Sequence, residues 1–295
     1  MGRSLVRLLF LTQTPAMRRY GWVLVGLATA LLGCDGELPE PPQVSDDPAP
    51  AGPGFWDPVP ECSSTTAPEM IHDDYWRGQF ERVNREVAQA EDCQLVFFGD
   101  SITKGWTLLA AHGKEVWDER FAKYHPINMG NSGDITPVML YRITHGNLDF
   151  PEGEAPRVAV LLCGTNNYVV KQSDGGKVQW ELGMDTPPDE VAQGVRAIAQ
   201  EFRRRLPDTH VILLGILPVK NAEKWAKCRE TNHILTDYNY PPDEVTFLDL
   251  EEHFMNADGT LKAGLFTDGT HLTADGYAVM ADALLPVIEK NLAQP

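Results

Sequence analysis

The stretch FFGDSIT, residues 97 to 103, joins an apolar run to a turn made of Gly, Asp and Ser. An apolar run that stops abruptly at turn residues is typical of a buried strand. Two interpretations of Ser101 follow from this position. It is either an ordinary turn residue or a nucleophile that is presented at the end of the strand, and the rest of the chain has to decide between them.

From about residue 68, short apolar runs alternate with segments that carry apolar residues at helical spacing. Runs that are apolar throughout, such as VAVLLCG, suit strands that are buried on both faces. The alternation predicts an α/β fold in which a mainly parallel five-stranded sheet lies between two layers of helices. The predicted strands are residues 94–98, 126–129, 158–163, 210–216 and 244–248, and the predicted helices are residues 71–92, 116–123, 136–144, 188–206, 222–237 and 273–292.

Polar motifs follow several of the predicted strands. Ser101 follows the first strand, NMGNSGD the second and CGTNN the third, and FTDGTHLTADGY comes after the fifth. Each motif alone also reads as an ordinary turn or helix cap. In folds of this class, however, ligands bind beyond the carboxyl ends of the strands. A serine, a glycine backbone, an asparagine amide and a histidine at one edge of the sheet are the parts that acyl transfer needs.

These motifs resemble the four sequence blocks of the SGNH hydrolases, also called GDSL-type esterases and lipases. Within that group, GDSITKGW, GKEVWDERF, ILLGILP and THLTADGY are similar to the platelet-activating-factor acetylhydrolase branch and its bacterial relatives. The resemblance covers about residues 94–288 and implies a three-layer, flavodoxin-like SGNH hydrolase fold. The matching residues are Gly99-Asp100-Ser101, Gly133, Asn166 and Asp268-x-x-His271.

The resemblance implies a role for each matching residue. Ser101 is expected to attack the ester carbonyl, His271 to take its proton and return it to the leaving alcohol, and Asp268 to orient the imidazole. The backbone N–H groups of Ser101 and Gly133 and the side-chain amide of Asn166 are expected to form the oxyanion hole. The resemblance implies no metal ion and no cofactor.

Two features depart from the family's usual pattern. Ser132 stands where the second block often has a glycine, which changes the pocket wall but keeps the N–H of Gly133. About 20 residues, YVVKQSDGGKVQWELGMDTP, separate GTNN from the next predicted helix, and long loops beside active sites are often functional. Tyr168 or Trp180 is therefore expected to shape the substrate pocket. The alternative for Trp180 is that it only packs the loop down.

Residues 17–34, MRRYGWVLVGLATALLGC, resemble the signal of a bacterial lipoprotein. Two arginines precede an apolar run of about 14 residues, which is short for a membrane span but fits a signal peptide. The ending LLGC is similar to a lipobox, which implies removal of the signal and lipidation of Cys34. An uncleaved anchor and ordinary secretion are the alternatives. Met17 begins the pattern better than Met1 does, which favours Met17 as the start of the signal segment within residues 1–34.

Residues 35–67 are rich in proline and acidic residues and poor in large apolar residues, which predicts an extended linker. The hydrolase domain is then expected to run from residue 68 to 295. The formal net charge of -17 disfavours nucleic acid as a partner and strongly anionic substrates, because such a surface repels phosphate groups. The protein is expected to be exported and tethered to a membrane, facing the periplasm or the exterior, only through the lipid on Cys34.

Four cysteines follow Cys34. Cys163 lies in the apolar run VAVLLCG and is expected to be a buried thiol. Cys62, Cys93 and Cys228 are able to supply one disulfide in an exported protein, and the sequence does not choose the pair. The chain has no Cys-x-x-Cys spacing that would indicate a zinc site.

The sequence therefore predicts a serine esterase that acts on small acyl esters, with acetyl groups on a sugar or another small polar alcohol as the expected substrate. A lipase or lysophospholipase of the same family is one alternative. An acyltransferase that uses the same serine is another. A non-catalytic carbohydrate-binding protein at the cell surface is the third. It would be favoured if Ser101 and His271 were out of reach of each other, or if Asn166 were turned away from the pocket.

Overall fold

The computed structural model describes residues 52–61, 65–70, 73–108, 113–168, 170–174, 177–181 and 186–294, and in the segments 170–174 and 177–181 it describes the backbone alone. These residues all belong to one compact unit, Ala49–Pro295. The predicted signal segment, Cys34 and most of the predicted linker lie outside the described residues. No helix in the described part of the chain is long and apolar enough to cross a bilayer.

The described residues contain seven strands, which form two separate sheets. A parallel sheet with the order β2-β1-β3-β6-β7 lies at the centre, and β4 and β5 form an antiparallel hairpin. The parallel five-stranded sheet confirms the predicted α/β fold. The strands are β1 (Leu95–Gly99), β2 (Ile127–Gly130), β3 (Val158–Leu162), β4 (Val170–Asp174), β5 (Lys177–Glu181), β6 (His210–Leu214) and β7 (Val245–Leu248).

Eight helices are present in the described residues, and the longer ones match the predicted segments. Thr273 caps the last helix, where its side chain accepts a hydrogen bond from the N–H of Gly276. The helices are α1 (Asp74–Ala88), α2 (Ser101–Gly105), α3 (Lys114–Arg120), α4 (Thr136–Thr144), α5 (Pro188–Arg205), α6 (Ala222–Thr236), α7 (Glu251–Phe254) and α8 (Ala274–Leu292).

The helices cover both faces of the central sheet. Successive side chains of a strand point to opposite faces, so Val96 and Phe98 pack in one core with α1, α4, α5 and α6. Leu95 and Phe97 pack in a second core with α3, α7 and α8. All five residues of β1 are buried, which explains why this strand is apolar throughout rather than alternating.

Part of the predicted linker belongs to the folded unit. Gly54 forms a β-bridge with Asn239, and the ring of Phe55 is only 1% exposed. The side chains of Arg196 and Gln200, both in α5, donate hydrogen bonds to the carbonyls of Gly54 (2.9 Å) and Phe55 (2.5 Å). The packed part of the chain therefore begins before residue 68, the predicted start of the hydrolase domain. The proline-rich composition of this segment predicted a linker, although its Phe55 side chain is buried in the domain.

Cys93, Cys163 and Cys228 are buried free thiols. Burial raises the pKa of Cys93 to about 11 and that of Cys228 to about 12, and it raises the pKa of Cys163 as well. The buried thiol expected at Cys163 is confirmed. The disulfide expected among the other cysteines does not join Cys93 to Cys228, and Cys62 lies outside the described residues.

Candidate active site

Ser101 lies at the point where β1 turns into α2. It is the first residue of α2, so its N–H has no acceptor within the helix. The side chain of Asp100 caps α2 by accepting a hydrogen bond of 2.9 Å from the N–H of Ile102. Gly99 makes this turn possible, because a Cβ atom there would collide with the side chain of Thr103. The turn therefore presents Ser101 at the carboxyl edge of the sheet.

The loop between α7 and α8 brings His271 to this serine. Nε2 of His271 lies 2.9 Å from Oγ of Ser101, and Nδ1 lies 2.7 Å from Oδ2 of Asp268. The other carboxylate oxygen of Asp268 accepts hydrogen bonds from the N–H groups of Thr270 (2.9 Å) and His271 (2.8 Å). One carboxylate thus shapes the turn and holds the imidazole toward Ser101.

The ionisation of Asp268 suits this arrangement. Partial burial raises its pKa, but hydrogen bonds from the backbone and imidazole of His271 and from the N–H of Thr270 lower it more, so the net pKa lies below the ordinary value. An ionised Asp268 favours the proton on Nδ1 of His271. The lone pair of Nε2 then faces the hydroxyl of Ser101, which is the geometry that activates an alcohol for attack.

Gly133 and Asn166 lie at the same edge of the sheet as Ser101, after the two strands that flank β1. Gly133 has a φ of 82°, a conformation that favours glycine, in the turn after β2. Asn166 lies in the 3-10 turn Thr165–Tyr168, after β3, and its Nδ2 donates a hydrogen bond of 3.1 Å to the carbonyl of Asp134. A primary amide carries two hydrogens, so one remains for a ligand.

A buried ion pair supports the turn that carries Gly133. Asp134 and Arg142 lie 2.5 Å apart, and neither side chain is exposed. The indole nitrogen of Trp76 donates a hydrogen bond of 2.8 Å to the same carboxylate, and Arg142 also donates to the carbonyl of Met129. Sequence reasoning missed this support, because neither the spacing nor the composition of GDITPVMLYR indicates that a charged pair is buried there.

Asp100 is the second buried acid near the nucleophile. Burial raises its pKa to about 6, although the hydrogen bond from Ile102 and the charges of His271 and Lys224 act in the opposite direction. Its Oδ2 atom has no hydrogen-bond partner among the described groups. The charged form of Asp100 is therefore poorly stabilised.

The structure corrects the expectation for Tyr168. Its side chain is fully buried, and its hydroxyl lies 2.5 Å from the hydroxyl of Thr231. Burial raises the pKa of this phenol, and the residue packs in the core rather than lining a substrate pocket. Trp180 lies in β5, opposite Lys171 of β4, and its side chain is outside the described part of the structure. Its predicted role at the pocket stays a prediction.

A groove of about 480 Å³ lies beside the edge strand β2, where Arg82, Glu86, Thr107 and His125 contribute to its walls. None of the residues around Ser101 and His271 lines it, so this groove is separate from the candidate active site. Within the described ranges, no group of three or more His, Cys, Asp or Glu side chains is placed to hold a metal ion.

Comparison with known proteins assigns the chain to a family. Residues 97–279 match the model of the GDSL-like Lipase/Acylhydrolase family. The chain is 30% identical over 241 residues to platelet-activating factor acetylhydrolase IB subunit alpha2 of Rattus norvegicus, which covers 80% of this chain and 93% of that relative. It is 28% identical over 239 residues to subunit alpha1 of Homo sapiens, with 80% of this chain and 92% of the relative covered.

The solved structures agree with the fold. A GDSL-like lipase from Bacteroides thetaiotaomicron superimposes with a TM-score of 0.53, is 19% identical, and covers 72% of this chain and 97% of its own. The family match contains all the turns and loops that bring Ser101, Gly133, Asn166 and His271 to one edge of the sheet. The chain belongs to the GDSL-like lipase and acylhydrolase family, in the branch that resembles the platelet-activating-factor acetylhydrolases.

Proposed function

We propose that the protein is a serine esterase that hydrolyses small acyl esters, with acetyl esters of sugars or other small polar alcohols as its substrates. The observation that carries this proposal is the chain of contacts from Ser101 through His271 to Asp268, at 2.9 Å and 2.7 Å. An alcohol at hydrogen-bond distance from an imidazole whose other nitrogen faces a carboxylate loses its proton as it attacks a carbonyl carbon.

The proposed reaction has two halves. In the first, Oγ of Ser101 bonds to the ester carbonyl carbon, and its proton passes to Nε2 of His271. The carbonyl oxygen becomes an oxyanion that accepts hydrogen bonds from the N–H groups of Ser101 and Gly133 and from the amide of Asn166. The tetrahedral intermediate then expels the alcohol, which takes the proton from His271. In the second half, water repeats these steps on the acyl-enzyme and releases the acid.

Two considerations support a short acyl group and a polar alcohol. The curated relatives that match over four-fifths of this chain are named acetylhydrolases, which supports an acetyl group here. The net charge of -17 disfavours adsorption on anionic lipid surfaces, where a lipase would meet its substrate. A lipase or lysophospholipase of the same family would instead show a preference that rises with acyl length.

The test is hydrolysis of p-nitrophenyl acetate, butyrate and octanoate by the full chain. We expect the acetate to be fastest and Ser101→Ala to lower kcat by about 10⁴-fold or more. Thr260→Ala is the matched control, because it removes a hydroxyl that bonds Asp258 in an exposed turn outside the proposed triad and oxyanion hole. A preference for octanoate would favour the lipase. Absence of serine-dependent turnover would overturn the proposal, and acyl transfer to an added sugar would identify a transferase.

We also propose that the protein is an exported lipoprotein anchored through Cys34. This proposal rests on the basic start, the apolar run and the LLGC ending of residues 17–34. Metabolic labelling with a fatty-acid analogue is expected to label the wild-type protein and Cys62→Ser, but not Cys34→Ser. Membrane retention of an unlabelled wild-type protein would instead favour the uncleaved anchor.

A further inference from the structure

Lys224 has an almost fully buried side chain whose ammonium contacts no counter-ion among the described residues. It lies in the first turn of α6, and only 6% of its surface is exposed. Among the described residues, its ammonium makes neither a salt bridge nor a hydrogen bond. Lys104 shows the usual arrangement by contrast, because this residue is buried to a similar degree and its ammonium donates a hydrogen bond of 2.6 Å to the hydroxyl of Tyr75. An ammonium on an otherwise buried side chain, with no partner from the protein, points to a ligand that completes it.

The position of Lys224 relates it to the active site. Helix α6 follows β6, whose carboxyl end lies at the same edge of the sheet as Ser101. The N–H of Lys220, in the loop before α6, donates a hydrogen bond of 2.7 Å to the carbonyl of Gly269. Gly269 lies between Asp268 and His271 in the sequence. The start of α6 is therefore joined directly to the loop that carries the imidazole.

Two further observations fit a site for a negative group there. Burial lowers the pKa of Lys224, while its interactions with Cys228 and with the charge of Asp100, the residue beside Ser101, act in the opposite direction. The amino end of α6, a helix of 15 residues, adds the positive end of a helix dipole at the same place. An ammonium without a protein partner and a helix amino end together favour an anion.

We propose that Lys224 binds an anionic group, a carboxylate or a phosphate, on the alcohol part of the ester substrate. The inference rests on the proposed esterase function and names its substrate class. The alcohol part is chosen because the leaving oxygen takes its proton from His271, whose loop is bonded to the start of α6. Lys224 is thus a specificity-determining residue that selects esters of negatively charged alcohols.

The overall charge of the protein is compatible with this selectivity. A net charge of -17 repels polyanions at long range, but a single ammonium acts on a singly charged group at short range, where salt screens little. The competing explanation is that Lys224 serves only as a counter-charge for Asp100. The two side chains form no salt bridge with each other, and this explanation predicts an equal effect of Lys224 on charged and neutral substrates.

The test compares matched aryl acetates with the full chain: 3-acetoxybenzoate, its neutral methyl ester, and 3-acetoxyphenyl phosphate. The quantity measured is the ratio of kcat/KM for each anionic ester to that for the neutral ester. Lys224→Met is expected to lower this ratio about tenfold or more, mainly through KM. The anion whose ratio falls further identifies the natural group. An equal fall for all three esters would overturn the proposal.

Lys290→Met is the matched control. It also removes one lysine charge, but from the exposed last turn of α8, where the charge acts on His210 at the amino end of β6. We expect it to leave the ratio within about twofold of the wild-type value. Lys224→Met is expected to unfold at the same temperature as the wild type or a higher one, since it replaces a largely buried side chain whose charge has no hydrogen-bond or salt-bridge partner. A lower unfolding temperature with an unchanged ratio would show that Lys224 is only structural.

Binding separates this inference from the proposed esterase function. The product 3-hydroxybenzoate is titrated into Ser101→Ala, which has no nucleophile. In the Ser101→Ala background, Lys224→Met is expected to weaken binding of 3-hydroxybenzoate about tenfold or more, and Lys290→Met is not. This result would support the anion site even if the protein hydrolysed no ester. Equal affinities in all three proteins would overturn the anion site and leave the esterase proposal untouched.

Discussion

The indole nitrogen of Trp76 donates a hydrogen bond of 2.8 Å to the carboxylate of Asp134, 58 residues further along the chain. Asp134 directly follows Gly133, whose N–H is proposed to stabilise the oxyanion, and it also forms a buried ion pair with Arg142. A helix that precedes every strand of the sheet therefore helps to hold one part of the candidate active site in place.

Trp76→Phe is expected to lower kcat about tenfold with little change in KM, because it removes the indole N–H that holds Asp134 beside the oxyanion turn. The free energy of unfolding is expected to fall by about 1–3 kcal/mol. Trp56→Phe is the matched control, since its indole donates to Glu244 (3.1 Å) on the exposed surface. Steady-state kinetics and urea unfolding of both variants test this, and equal losses of kcat would contradict it.

Substitution of the neighbouring residues Asn166 and Asn167 is expected to have different effects, on kcat for the first and on the free energy of unfolding for the second. Asn166→Ala removes the proposed oxyanion donor and is expected to lower kcat about 10²- to 10³-fold with little effect on unfolding. Asn167 is buried and exchanges hydrogen bonds with the backbone and side chain of Thr136. Asn167→Ala is therefore expected to lower the free energy of unfolding by about 1–3 kcal/mol. If Asn166→Ala kept full activity, Asn166 would not belong to the oxyanion hole.

The two buried aspartates are expected to respond to amide substitution with opposite signs. Burial raises the pKa of Asp100 to about 6, so the native state binds this proton before the unfolded state does. The stabilisation is complete below the pKa of the unfolded chain and is lost as the pH rises through about 6. Asp100→Asn keeps an acceptor for Ile102, and at about pH 8 it is expected to raise the free energy of unfolding by at most about 3 kcal/mol.

Denaturant unfolding at about pH 4 and about pH 8 tests this sign, because the difference between Asp100→Asn and the wild type is expected to shrink in acid. Asp134→Asn is the contrasting variant. It leaves Arg142 buried without its partner and is expected to lower the free energy of unfolding by about 3–5 kcal/mol at neutral pH. A destabilised Asp100→Asn at about pH 8 would show that the charged form of Asp100 has a partner.

Phe55 is expected to stabilise the domain although it lies in the predicted linker. Phe55→Ala should lower the free energy of unfolding by about 3–5 kcal/mol, because its ring is 1% exposed. Trp56→Ala, which alters an aromatic side chain that is 49% exposed, should change it much less. Thermal unfolding of chains that lack residues 1–48 or 1–61 provides a second measurement. Equal stability of these two chains would contradict the role of Phe55.

The central sheet was predictable because its strands are buried on both faces. Such strands are short apolar runs, and the turn residues that end them are visible in the sequence. The short helices α2 and α7 were missed, since Ser101–Gly105 and Glu251–Phe254 contain too few residues to show a helical period. The hairpin β4–β5 was treated as a loop, although its two strands flank a Gly-Gly pair that is typical of hairpins.

The candidate site was predictable only in part. The motifs around Ser101 and His271 are local in the sequence, and resemblance to a family gave them roles. The support at Asp134 and Arg142 and the unpaired burial of Lys224 depend on tertiary packing, which no local pattern encodes. Tyr168 shows the converse error, because a residue beside a motif was expected at the pocket and packs in the core instead.

The carboxylate of Asp268 gives the enzyme a characteristic response to acid. Its oxygens accept hydrogen bonds from the two backbone N–H groups that shape the turn and from the imidazole. The conformation of the turn and the orientation of the imidazole therefore depend on the same carboxylate. Protonation of this single group would release both together while the sheet stays intact. Because its pKa is held below the ordinary value, that local uncoupling begins only in strongly acidic surroundings, and it is reversed when the proton leaves.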